Sequence, residues 1–201
     1  MENNIEQESP LTGEQSLQLI ASMISRAKDE FFDTGLSALL WGSVNTFCAL
    51  ATFANYWLKW AALDYVWFLT IVAVAPQAFI AIREGRERRV KSHEGNLIGG
   101  IWITFAISIF LFSYVASVYA FSQETSVYLI LYGIPTFAIG IGRRFRPMII
   151  GGISCWVLAI LSTFTPFPYE MLYLAAGAQL AWFIPGLILR KCYQQAKRQH
   201  V

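Results

Sequence analysis

The stretch from Leu97 to Phe121 reads LIGGIWITFAISIFLFSYVASVYAF, 25 residues without one Asp, Glu, Lys, Arg or His. A helix rises 1.5 Å per residue, so about 20 apolar residues cross a hydrocarbon core of about 30 Å. A transmembrane strand needs about 10 residues that alternate polar with apolar side chains, and this run does not alternate. Five further uncharged apolar runs surround it. All six, 35–58, 65–82, 97–121, 127–142, 148–167 and 171–189, lack every ionisable side chain of those five types. Hydrophobic residues make up 56% of the 201, and mean hydropathy is +0.47. One soluble core could not hide that much apolar surface. The expected fold is an all-α, polytopic six-helix transmembrane bundle.

The charges between the runs orient it. Arg26 and Lys28 precede the first run. Arg83, Arg86, Arg88, Arg89 and Lys91 follow the second, Arg143, Arg144 and Arg146 the fourth, and Arg190, Lys191, Lys197 and Arg198 the sixth. Those alternate segments hold fourteen of the fifteen Lys and Arg residues, and Lys59 is the exception. Short basic segments resist translocation, which predicts that both termini are cytoplasmic. The arginine clusters, including Arg143, Arg144 and Arg146, read first as topology determinants and second as contacts to anionic lipid headgroups. Nucleic acid is a poor partner for them, since acids are interspersed and aromatic residues are not. The opposite side carries short turns rimmed by Tyr56, Trp57, Trp60, Tyr65, Trp67, Tyr119 and Tyr169, residues that favour the headgroup boundary.

Glycine and proline recur with the runs. Gly42, Gly100 and Gly152 are followed by Pro76, Pro135 and Pro185 after 34, 35 and 33 residues. That spacing predicts three tandem helical hairpins of one orientation. The alternative is that both residues are frequent in membrane helices and align by accident. Small residues four apart, Gly100, Thr104 and Ser108 in the third run and Gly151, Cys155, Ala159 and Thr163 in the fifth, are expected to face the bundle interior.

Before the first run, residues 1–11 are polar, acidic and expected to be a disordered cytoplasmic tail. Over 12–34, Thr12 and Gln15 have capping-box spacing and Leu17, Ile20, Ile24 and Phe31 recur at helical intervals. An amphipathic helix is expected there, lying on the bilayer or docked on a protein partner through those four residues. The first 34 residues hold seven acids, two bases and no apolar stretch, so the first run is expected to serve as an uncleaved signal anchor. Residues 190–201 form a basic cytoplasmic tail. Cys48, Cys155 and Cys192 make no disulfide framework and are read as structural.

Chemistry is scarce. There is no HExxH, no phosphate-cradling glycine loop and no carboxylate pair within a run, and Ser154 has no base in any run to activate it. No enzyme, metal or cofactor is expected. Ion-coupled pumps keep ionisable groups inside the membrane, and these runs have none. The costliest groups to leave unpaired in lipid are the amides of Asn45, Gln77 and Gln179, which should bond between helices or line a polar cavity.

Gly13-Glu14-Gln15-Ser16-Leu17, Ala38-Leu39-Leu40-Trp41-Gly42 and Gly133-Ile134-Pro135-Thr136-Phe137-Ala138 give the chain a resemblance to short, uncharacterised bacterial six-span integral membrane proteins. The resemblance implies a bacterial inner membrane and brings no functional residues. The expected role is a non-enzymatic sensor, regulatory or accessory subunit. The alternative is a small transporter or channel for a neutral or amphipathic solute.

Overall fold

The computed structural model of the chain describes residues 34–87, 93–119, 121 and 123–198. Among these residues there are helices and no strands. The order is α1 (Leu36–Leu58), a 3-10 turn (Ala61–Tyr65), α2 (Phe68–Val72), α3 (Val74–Glu87), α4 (His93–Tyr119), α5 (Glu124–Gly142), α6 (Arg146–Thr163), α7 (Glu170–Ala178), a π turn (Gln179–Phe183) and α8 (Ile184–Arg198). Six helical stretches are long and apolar enough to cross a membrane: Leu36–Leu58, Phe68–Arg86, Leu97–Tyr119, Glu124–Gly142, Arg146–Thr163 and Glu170–Gln195. The expected amphipathic segment with Leu17, Ile20, Ile24 and Phe31 lies outside the described residues, as do Arg88, Arg89 and Lys91.

Helix ends follow local chemistry. α1 begins after Gly35, whose φ of 69° lies in the left-handed region that glycine enters without a Cβ clash. Thr34 links that start to α3 through a short hydrogen bond from its hydroxyl to the Glu84 carboxylate. The apolar run 148–167 outlasts its helix. α6 stops at Thr163, because Pro166 and Pro168 cannot donate the next backbone hydrogen bonds and Phe164 to Tyr169 turn instead.

The three prolines of the expected repeat have three different consequences. Near Pro76 the second span breaks at Ala73 into α2 and α3. Pro135 sits inside an unbroken α5. Just before Pro185 the last span widens into the π turn, where the Ile184 N–H reaches back five residues to Gln179 O. Proline removes one donor everywhere, and the neighbours decide how the freed carbonyl is accommodated.

Packing divides the six spans unequally. α1, α5, α6 and the α7–α8 span form the interior, with Cys48, Ala49, Leu129, Tyr132, Cys155, Leu174, Ala178, Ala181 and Trp182 buried. The α2–α3 span touches mainly α1, and α4 touches mainly α5. The expectation for the third run is overturned here: Gly100 and Thr104 face outward and Ser108 is only half-buried. α4 instead meets the bundle with Trp102, Phe105, Ile109 and Phe112, and large rings hold its backbone away from α5. In α6 the small-residue face is inward at Gly151, Cys155 and Ala159, while Thr163 is exposed and the buried hydroxyl there is Ser162.

Candidate functional site

A ladder of hydrogen bonds runs the length of α1. At its first turns, Gln77 of α3 bridges Ser37 and Trp41: the Trp41 indole donates to Gln77 Oε1 at 3.2 Å, and Gln77 Nε2 donates to Ser37 Oγ at 3.1 Å. One turn on, Asn45 Nδ2 donates to Trp41 O at 2.9 Å, and Asn45 Oδ1 accepts from the Tyr132 hydroxyl of α5 at 2.8 Å. Gln179, at the start of the π turn, donates to Thr46 Oγ1 at 2.9 Å. Farther along, the Trp67 indole donates to Thr52 Oγ1 at 3.0 Å. The three amides singled out by the sequence therefore bond α1 to the second, fourth and sixth spans. They do not converge on one another.

Beside Asn45 lies an aromatic cluster. The Tyr132 and Trp182 ring centroids are 4.4 Å apart, and Phe105 packs edge-on against both at 6.1 and 5.9 Å. Trp102 closes the outer side, 6.5 Å from Trp182. The polar edges of the buried rings are occupied: the Trp182 indole donates to Thr136 Oγ1 at 3.0 Å, and Thr136 donates to Tyr132 O at 2.8 Å. Paired this way, an indole N–H and a phenol can sit in an apolar interior without the cost of an unmade hydrogen bond.

The π turn delivers Gln179 and Trp182 to these partners. A turn one residue wider than an α-turn shifts which side chains face the interior, and it fits because glycines flank it. A Cβ on Gly42 would lie 2.7 Å from the Phe183 nitrogen, and one on Gly151 would collide with the Leu180 carbonyl. Those two positions let α1 and α6 close on the turn from opposite sides. Sequence reading weighed hydroxyls and amides and passed over Tyr132, Trp41 and Trp182. The available signal was that rings with a polar edge in mid-span need an acceptor or donor of their own.

The remaining candidates sit elsewhere. Arg83 and Arg86 border an open notch of about 280 Å3 with Phe79 and Ile82 at the end of α3. Arg144, with φ 51°, and Arg146 are exposed at the turn joining α5 to α6, and Arg143 is half-buried. Ser154 donates to Ile150 O within its own helix at 2.9 Å. Cys48 and Cys155 are buried and donate weakly to Val66 O and Gly177 O, and Cys192 is half-buried. Among the described residues no group of three or more His, Cys, Asp or Glu is placed to hold a metal ion.

No protein-family model matches this chain, and no curated protein or solved structure matches it.

Proposed function

We propose that the chain is a multi-pass protein of a bacterial inner membrane, with both ends cytoplasmic, that acts without catalysis as a sensor, regulatory or accessory subunit. The observation that carries this reading is the pairing of the interior. Asn45, Gln77, Gln179, Tyr132 and Trp182 spend their polar atoms on one another and on neighbouring helices. Thr125 Oγ1 is the one buried side-chain oxygen or nitrogen without a partner among the described residues. A solute pathway needs polar groups that exchange partners with the solute, and this seam has none to spare. The six stretches of spanning length and the fourteen-to-one charge split support the membrane and its sidedness. The tandem-hairpin order belongs to the same reading and is supported by the glycine-to-proline spacing.

Sidedness is tested in a Cys192→Ser background with single cysteines at Ser92, Gln123 or Arg198 and an impermeant thiol reagent on intact cells. Labelling at 123 alone is expected, and labelling at 92 but not 123 would invert the topology. Activity is tested in proteoliposomes loaded with small neutral solutes. No permeation above protein-free vesicles is expected. Uptake that disappears in Asn45→Leu would replace this reading with the transporter. The partner side is tested by Ile20→Asp with Ile24→Asp, which should abolish recovery of any stoichiometric co-purifying protein from native membranes and leave insertion intact.

A further inference from the structure

Lys59 is the one basic residue outside the alternate clusters, and the structure sets it in a formed notch. The C-terminal end of α1, the 3-10 turn and the corner after α6 enclose about 440 Å3, within the size range of small-ligand sites. Lys59 and Asp64 both border this space, and no ion pair joins them. Opposite charges that share a notch without pairing are arranged to meet two charges of something else.

The walls are held in place. Asn55 Nδ2 donates to Asp64 Oδ1 at 2.6 Å, while Asn55 Oδ1 accepts from the Trp60 N–H at 2.8 Å. Lys59 has φ 49°, and its N–H caps α1 by donating to Asn55 O at 2.8 Å. Tyr56 of α1 meets Phe167 edge-on at 5.8 Å, closing the notch from two distant parts of the chain. Trp67 has its indole N–H committed to Thr52 and borders the notch with its apolar ring. An ammonium finds three favourable features here: the Asp64 carboxylate, the negative end of the 23-residue α1 dipole, and aromatic rings. An anion finds Lys59.

We propose that this notch binds a zwitterion carrying an ammonium and a phosphate, of the phosphoethanolamine type, with the phosphate on Lys59 and the ammonium toward Asp64. The site rests on the membrane reading, which puts the notch at the outer headgroup level, where such groups are offered by lipid or by solution. It also gives a sensor something to sense.

The test uses the full chain in detergent micelles, followed by native mass spectrometry. Four probes are compared: phosphatidylethanolamine, phosphatidylglycerol with the same acyl chains, free phosphoethanolamine and free glycerol phosphate. The ethanolamine form is expected to be retained about tenfold more than the glycerol form, the difference that one charge-assisted contact supplies. Preference in the lipid arm alone assigns the bilayer as the source, and equal preference in both arms assigns solution. Lys59→Asn and Asp64→Asn should each erase the preference. Asparagine tolerates the left-handed backbone at 59, and at 64 it retains an acceptor for Asn55, so both variants should melt as wild type. Equal retention of ethanolamine and glycerol forms overturns the site, and that comparison needs no variant. So does a preference that survives either substitution. Membrane fractionation separates the two levels: a chain found in membranes but without preference loses the site alone, and a chain absent from membranes loses the reading beneath it.

Discussion

α4 and α5 are neighbours in sequence and opposites in use. Half of the α5 window is buried inside the protein, against 6% of the α4 window, although α4 is the most apolar of the six stretches. In water that ranking would be reversed, because the most apolar helix would be the innermost. In lipid, apolarity no longer separates a protein neighbour from a solvent neighbour, and close packing and hydrogen bonds decide which helices meet. α5 carries Tyr132, Gly133, Thr136 and Gly140 on its buried side, whereas α4 turns Ile103, Ile107, Phe110, Leu111 and Val118 outward.

The sharpest way to break this contrast is to truncate an interior ring. Trp182→Ala removes the centre of the aromatic cluster and leaves Thr136 without its donor, which should cost about 3–5 kcal/mol of stability, measured by denaturant titration in mixed micelles. Trp102→Ala, at the outer edge of the same cluster, should cost well under half of that. Equal losses would mean that α4 belongs to the interior.

A second test adds atoms instead. Gly151→Ala places a methyl against the Leu180 carbonyl and should cost about 2 kcal/mol, within the range for overpacking. Gly100→Ala meets nothing within 4 Å and should be neutral or slightly stabilising by thermal melt, since alanine is the better helix former. Destabilisation at Gly100 would reveal a partner seated on the outward face of α4.

A smaller effect separates the interior hydrogen bonds from the peripheral one. A double-mutant cycle between Asn45→Ala and Tyr132→Phe should give a coupling of about 1 kcal/mol, near the upper values for interhelical bonds in membranes. The corresponding cycle between Trp41→Phe and Gln77→Leu should give about half of that, because α3 is exposed and water or lipid headgroups compete for the amide. If the two couplings are equal, α3 is as firmly docked as α5.

These contrasts also mark where sequence reading succeeds. The six apolar runs and the placement of Lys59 against fourteen other bases are properties of the chain and its solvent, so helix number and expected sidedness were legible. Which helix touches which was not. The Gly100, Thr104 and Ser108 stripe has the same four-residue step as Gly151, Cys155 and Ala159, yet one faces out and the other in. Nothing in the spacing distinguishes them, because the choice is made by Trp102, Phe105 and Phe112 on the far face of α4. At the candidate site, Asn45, Gln77 and Gln179 were found by the cost of a bare amide in lipid. Tyr132 and Trp182 were missed because their hydrogen-bonding groups are small parts of large apolar rings.

The π turn makes the last span sensitive to length in a way that composition cannot express. A wide turn holds one residue more than the α-helical path needs, so deleting a single residue from Gln179–Phe183 would restore an ordinary helix. Each residue of an α-helix turns the chain by about 100°. The deletion would therefore rotate everything after it by about that angle relative to α7. Gly186, now against Leu39 and Gly35 of α1, would swing off that contact, and the four basic residues beyond it would leave the span on a different side. A one-residue shortening within the membrane would thus be read out as a reorientation of the cytoplasmic tail.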